Sequence, residues 1–475
     1  MIGIHSFRAS RVPFMAAAVA LLAGCATFSE DGGFGPVERT ARERLGKELV
    51  WAKSGEQLDT IERRVAELLA QPLSADAAVQ VALLNNRGLQ ASLQELGIAE
   101  AELVQLSRLP NPGFSFGRFR RGDEREIERS LHVNLARLIA LPLLRPIEER
   151  RFAVVQGSIA MEVLSLASQA RKAWTNAVAA EQTVLYRRQV QSAADASAEL
   201  ARRMREAGNF NRLQLAREQA FYSDAVLNLA RAEQAQLVTR ESLTRLLGLW
   251  GAQTRFTLPE RLPDLPGEAA DRPSIEQEAI AQRLDLQAAR LGAEALANNL
   301  GLTRVTRFVN VLELSGIRES SNEEPRRTGY ELDFEIPLFD WSGARVARAE
   351  AIYMQALHRA AQLAVDARSE VREAYGAYRS SWDIARHYRD EVVPNAKRIS
   401  DENLLRYNGM LIGVFELLAD ARAQIASVSA SIEALRDFWI ANADLELAVI
   451  GKPSLSALPA AAMSAAEGAA AGAPH

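Results

Sequence analysis

The most regular chemistry in this 475-residue sequence lies in Tyr330-Glu331-Leu332-Asp333-Phe334-Glu335-Ile336. Strand side chains alternate between faces, so this spacing puts Glu331, Asp333 and Glu335 on one face and Tyr330, Leu332, Phe334 and Ile336 on the other. A water-facing row of acids attracts cations. Taken alone, such a strand also suits the half-exposed sheet of a soluble protein. Leu131, Val133 and Leu135 alternate with His132 and Asn134 in the same way. A second acidic pair, Glu416 and Asp420, has the i, i+4 spacing of one helix face. The five histidines, His5, His132, His358, His387 and His475, lie far apart with no HExxH-like spacing, and there is no GxSxG or phosphate-cradling glycine loop. The sequence predicts no catalytic residue, no cofactor and no metal site. Lys+Arg 56 against Asp+Glu 60 gives a net charge of −4, which argues against a nucleic-acid partner.

A single cysteine excludes an intrachain disulfide framework and a multi-cysteine zinc site. Its position is the informative part. A basic opening with Arg8 and Arg11 leads into an apolar run from Val12 to Ala23 and then Leu22-Ala23-Gly24-Cys25. The run is too short to span a bilayer and has the layout of an export signal over residues 1–24. The small residues before Cys25 resemble a bacterial lipobox, which implies lipidation of Cys25 as the mature N-terminus. Ala26 rather than Asp follows, which by resemblance to lipoproteins of Gram-negative bacteria favours the outer membrane. No later apolar run is long enough for a transmembrane helix, so any membrane crossing must use strands.

Ala, Leu, Arg, Glu and Gln dominate the rest and aromatic residues make up only 6%, so helix should prevail. Residues 25–72 form an N-terminal extension: a flexible Gly-rich spacer at Asp31–Pro36, then a helix over Val37 to Leu69. Ser74 caps a long helix that Pro110-Asn111-Pro112-Gly113 stops. Two strands at about 113–121 and 130–140 follow, separated by the charged stretch Gly122 to Arg129. A rod from Pro146 to about Arg205 ends at Gly208-Asn209, and another helix reaches Leu246. Four prolines mark a linker over 251–273. The order then repeats. A capping box at Ser274 and Gln277 opens a helix, strands fall at about 307–318 and 329–338, and a rod runs from Gly343 to Tyr407. Asn408-Gly409 breaks that rod before a last helix. Glycine at the two breaks supplies positive φ. Leu89-Gln90-Ala91 and Leu286-Gln287-Ala288, Pro142-Leu143 and Pro337-Leu338, and Gly208 and Gly409 recur in one order. Residues 73–250 and 274–451 are therefore two structural repeats, and 452–475 is a disordered Ala-rich tail.

Four strands cannot close a barrel, and an open sheet edge cannot sit in hydrocarbon. The strands must be pooled between chains. Two chains supply eight strands, whose interior side chains fill, whereas three supply twelve, enough for a water-filled lumen. Ala167, Ala170, Ala173 and Ala177 let rods approach closely, as in a curved wall, though a bundle remains open.

The openings "LSADAAVQVALLNNRGLQAS" from Leu73 and "IEQEAIAQRLDLQAAR" from Ile275, "IPLFDW" from Ile336, and the breaks "REAGNFNRLQL" from Arg205 and "RYNGMLIGVFELLADA" from Arg406 together resemble the TolC-type outer membrane factors. The resemblance implies a mainly α fold with a membrane β-barrel: a trimeric, internally duplicated, twelve-stranded barrel continuing into a periplasmic α-helical barrel. It implies passive export in a tripartite efflux system with a periplasmic adaptor and an inner-membrane pump of the resistance-nodulation-division type. The alternatives are a type I protein secretion duct and a non-conducting structural envelope lipoprotein. By the same resemblance Gly208, Asn209, Asn408 and Gly409 form the adaptor-docking tip, Glu416 and Asp420 the periplasmic aperture, and Glu331, Asp333 and Glu335 the barrel lumen. The implied location is the outer membrane, anchored in its lipid through Cys25.

Overall fold

The computed structural model describes residues 27–306, 311–335, 339 and 341–453. The expected leader, Cys25, the start of the third strand at 307–310, residues 336–338 and the tail beyond 453 lie outside these residues. The chain divides into two compact units. One holds the segment up to Trp51, Arg87–Glu162 and Leu284–Val365, and the other Ala52–Asn86, Val163–Arg283 and the chain from Asp366 onward. Each unit draws on both halves of the sequence.

The first unit contains one antiparallel sheet in the order β1-β2-β3-β4: β1 Gly113–Arg121, β2 Glu124–Asn134, β3 Leu312–Ser321 and β4 Arg327–Phe334. The second strand is not at 130–140. The charged stretch expected to be a loop is itself strand, joined to β1 by a tight turn at Gly122-Asp123 in which Gly122 takes φ +62°, as primed hairpin turns require. Arg and Glu alternate along this stretch, so no apolar period marks it. The strand stops because Asn134 caps a helix, its Oδ1 accepting the Arg137 N–H at 2.8 Å. That helix, Leu135–Glu206, runs 72 residues through Pro142 and Pro146. The rod therefore starts well before the expected Pro146, although each interior proline costs an isolated helix about 3 kcal/mol. The second hairpin also sits closer to its loop than the expected 307–318 and 329–338.

The N-terminal segment is not a free spacer. The Asp31 carboxylate accepts N–H groups from Gly35 at 2.7 Å and Gly33 at 3.0 Å, while Gln156 Nε2 donates to the Gly33 carbonyl at 2.8 Å. Ser29 donates through its N–H and Oγ to the buried Glu100. The expected helix over Val37 to Leu69 is two helices. Gly35–Thr40 continues through a π turn at Ala41–Leu45 and ends at Gly46, and Gly55–Leu69 begins at a Ser54/Gln57 capping box.

In the second unit, Ile275, Val371, Trp382, Phe438 and Leu445 anchor a core to which the proline-rich segment is tied. Indole N–H groups of Trp382 and Trp439 donate to the carbonyls of Pro266 at 3.0 Å and Pro263 at 3.1 Å, and the Ala270 N–H donates to Tyr378 Oη at 3.0 Å. Ser74 caps its helix as expected, accepting from Ala77 N–H. Ser274 makes no side-chain cap, contrary to the predicted capping box: its ψ of 17° turns it away from the extended conformation that capping needs. Both long opening helices are interrupted, at Asn86 and, 197 residues on, at Arg283, where the backbone becomes extended. Arg283 is fully buried and its guanidinium pairs with Glu370 at 2.8 Å. The second rod is interrupted too. Gly343–His387 passes into a π turn, Tyr388–Val392, and resumes as Val393–Asn408. Pro394 lacks the N–H that would bond Asp390, and the wider π turn just before it absorbs that loss.

Candidate functional site

The register sorts the sheet residues onto two faces. Residues directly opposite one another share a face, so Leu332 and Phe334 of β4 lie with Leu314 and Leu312 of β3, and these with Val133, Leu131 and Phe114 across β2 and β1. This face is solvent-exposed. Phe114 is 66% accessible, Tyr330 85% and Phe334 60%. Glu331 and Asp333 share the other face, as predicted, and Glu335 lies one residue past the end of β4, its N–H donating to the Val311 carbonyl at 3.3 Å. Opposite Glu331 stands Ser315, and opposite Asp333 stands Glu313.

The acidic face is wider than the one strand that announced it. Glu124, Glu126 and Glu128 of β2 and Glu313 and Glu319 of β3 point the same way, with Glu128 directly opposite Glu319. Only Arg121 and Arg327 among basic strand residues join them, Arg327 lying 3.7 Å from Glu319. On β2 and β3 the acidic side chains are half-buried while most of their neighbours on the apolar face are exposed. His132 Nε2 sits 3.9 Å from Glu313, and its ring lies where a Cβ on Gly113 would be. Sequence reasoning missed these carboxylates because charged residues on both faces of β2 hid the alternation.

The two helix breaks are built alike. At the first, Asn209 N–H donates to the Met204 carbonyl at 2.8 Å and Gly208, at φ +81°, occupies the left-handed position. This is a Schellman cap, and Asn211 with Gln214 then forms a capping box for Arg212–Leu246. At the second, Leu411 N–H donates to the Arg406 carbonyl at 2.8 Å, and the left-handed residue is Met410, at φ +58°. Gly409 has φ −80°, so the expectation of positive φ there is wrong by one residue. The repeated motif pairs Gly208 with Met410. Asn209 and Asn408 flank the two caps. Phe210 is buried with Ala201 and packs against Tyr407 and Leu418, bringing the two breaks together, while Met410 and Leu411 are 93% and 77% exposed.

Glu416 and Asp420 lie on the first turns of the last helix, Val414–Ile450. Glu416 is exposed, and Asp420 accepts a hydrogen bond from the Asn403 amide. The better-buried acid nearby is Glu218, which the sequence did not single out: it is 1% exposed and accepts from Arg422 at 2.9 Å and Ser197 Oγ at 2.8 Å. Arg422 also lies 4.4 Å from the centre of the Phe221 ring. Among the described residues no cluster of three metal-ligating side chains occurs, and no helix is long and apolar enough to cross a membrane.

No family model and no curated protein matches the sequence. Solved structures do match the fold. The Campylobacter jejuni CmeC outer membrane channel aligns with a TM-score of 0.68 at 16% identity, over 89% of this chain and 94% of its own. The Neisseria gonorrhoeae MtrE outer membrane channel, in its open state, aligns with a TM-score of 0.66 at 18% identity, over 80% and 90%. A membrane protein from Pseudomonas aeruginosa aligns with a TM-score of 0.69 at 20% identity, over 79% and 93%. The chain has the fold of these channels. The mainly helical class with an inserted four-stranded sheet, expected from composition and period, is the class observed. These matches cover nearly the whole of each channel.

Proposed function

We propose that the protein is the outer membrane channel of a tripartite efflux system, a passive duct from an inner-membrane pump and its periplasmic adaptor to the exterior. One observation carries this: a four-stranded sheet with an exposed apolar face, an acidic opposite face and too few strands to close on itself. In water the apolar face would cost about 25 cal/mol for every Å² left uncovered. In a bilayer it faces lipid, and the acidic face lines a lumen completed by neighbouring copies. A homotrimer supplies the twelve strands that leave such a lumen open. The fold shared with CmeC and MtrE, both channels of the outer membrane, supports the same reading.

The paired Schellman caps then form the periplasmic tip. Gly208, Asn209, Asn408 and Gly409 shape it, and the exposed Met410 and Leu411 offer the adaptor an apolar contact. Glu416 and Asp420 border the aperture. Cys25 carries the lipid that holds the N-terminus at the outer membrane, and the pump is of the resistance-nodulation-division type. Ion conductance of the purified full-length protein in planar bilayers is the test: discrete pores are expected, and a well-folded oligomer that never conducts under any applied voltage would refute the duct.

A further inference from the structure

The apolar face of the sheet carries a second chemistry that no single strand discloses. Toward the hairpin turns its rows change from apolar to arginine: Arg118, Arg120, Arg125, Arg129 and Arg318 all lie on this face, and all are exposed. No carboxylate of the four strands shares the face, and among the described residues none of the five forms an ion pair. Two of the cross-strand pairs are arginine directly opposite arginine, Arg120 with Arg125 and Arg129 with Arg318. Like charges directly opposite one another destabilise a sheet. Carboxylates are plentiful in the same strands, yet all of them are on the other face. The charge segregation thus leaves facing guanidinium pairs that no carboxylate of the described residues neutralises.

Given the reading of this face as lipid-facing, we infer that the arginine rows are a binding belt for phosphorylated lipid headgroups in the leaflet at the hairpin-turn end. Guanidinium matches phosphate oxygens in a bidentate fork, and two facing guanidinium groups bracket one phosphate between them. The adjoining rows, with Phe114, Leu131, Leu314 and Leu332, supply the apolar surface that acyl chains of the same molecule would cover. Arg129 bridges the two zones, its guanidinium 6.0 Å from the centre of the Phe116 ring. A free phosphate would use only the first of these surfaces. A phospholipid-like ligand uses both, so the belt commits to lipid.

The test uses the full-length protein in a neutral detergent, titrated with diphosphorylated lipid A, with the same lipid after removal of its phosphates, and with inorganic phosphate as competitor. Wild-type protein should bind the phosphorylated lipid at least about tenfold more tightly than the dephosphorylated one, a preference of about 1.4 kcal/mol. The Arg120→Gln/Arg125→Gln/Arg129→Gln/Arg318→Gln variant should lose that preference. Should this variant fail to fold, the wild-type comparison of the two lipids still decides. Equal binding of both lipids overturns the belt, and so does a folded variant that keeps the preference. Displacement of the lipid by excess inorganic phosphate would show a plain anion site and overturn the lipid assignment. Reversal potentials separate this from the channel reading. A variant with unchanged ion selectivity and lost lipid preference supports the belt, whereas a shift in selectivity would put these arginines in the lumen and overturn the face assignment itself.

Discussion

At the residue scale, the two helix breaks are one motif with different residues in its strained position. A non-glycine side chain in the left-handed region costs about 1–2 kcal/mol, so Met410 bears a strain that Gly208 does not. Met410→Gly should remove it and raise local stability by up to about 1 kcal/mol after the extra chain entropy of glycine is subtracted. Gly208→Val should cost about 1–3 kcal/mol. Gly409→Val should cost less than about 1 kcal/mol, because its φ is already negative and a Cβ would meet neighbours no closer than 3.5 Å. Amide hydrogen exchange over the last turns of each helix distinguishes the three, and a large loss of protection in Gly409→Val would mean that the cap is misassigned. Asp31 makes a pH prediction. The N–H of Gly35 above all, with the Gly33 N–H and the Ser29 hydroxyl, holds its carboxyl below the usual carboxylate range, together outweighing the opposing effect of burial. A lowered pKa contributes order that is complete above the unfolded value, ~3.9, and is lost as pH falls through the lower folded value. Exchange at Gly33 and Gly35 should therefore accelerate, after correction for intrinsic rates, only under strongly acidic conditions. Protection that already collapses near neutral pH would contradict the assignment, and Asp31→Ala should remove it at every pH.

At the scale of elements, the sheet's acidic face sets the expected ion preference. In the proposed trimer, threefold repetition would bring Glu331, Asp333 and Glu335 together with the Glu313 of each copy, and rings of carboxylates favour cations. Reversal potentials in a salt gradient should show cation preference that shrinks in Glu331→Gln/Asp333→Asn/Glu335→Gln and shrinks further when Glu313→Gln is added. Unchanged selectivity in the quadruple variant would move the controlling charges elsewhere. The first hairpin shows where the sequence stops being legible. β4 was readable because one of its faces is apolar and the other acidic, and β1 because Pro110 and Pro112 fence it off. β2 was not: arginine on one face and glutamate on the other give no hydrophobic period, and only pairing with β1 and β3 shows that the two charges face apart. The same limit hid Met410. A Gly beside an Asn looks like the left-handed residue, but which of three consecutive residues takes that role is set by where the preceding helix runs out of backbone partners. The breaks at Asn86 and Arg283 were invisible for another reason, since the amides of Asn85 and Asn86 find carbonyls at Leu246, Leu247 and Gly248, far away in sequence.

At the scale of the whole molecule, the proposed channel makes a demand on the edges of the sheet. The strand order leaves β1 and β4 as the two edges, each with a row of backbone groups that no strand among the described residues pairs. In the proposed channel these edges lie in hydrocarbon, where each unmet group costs several kcal/mol, and they would meet those of neighbouring copies, β4 of one chain beside β1 of the next. That contact is head to tail and closes into a ring. Closure with two copies would give eight strands, and the acidic face would then press its glutamates into a filled interior with no water to solvate them. Closure with three leaves them wet. The purified full-length protein should therefore run as a trimer in native mass spectrometry, and strand content by infrared spectroscopy should fall together with the trimer when detergent or heat dissociates it. Cys25→Ser should leave that trimer intact, because a lipid at the N-terminus would take no part in strand pairing, while the mass of the N-terminal peptide should fall by that of the proposed lipid. A monodisperse monomer that keeps all of its strand signal would refute strand sharing, and a trimer that dissociates on Cys25→Ser alone would shift the source of assembly from the sheet edges to the anchor.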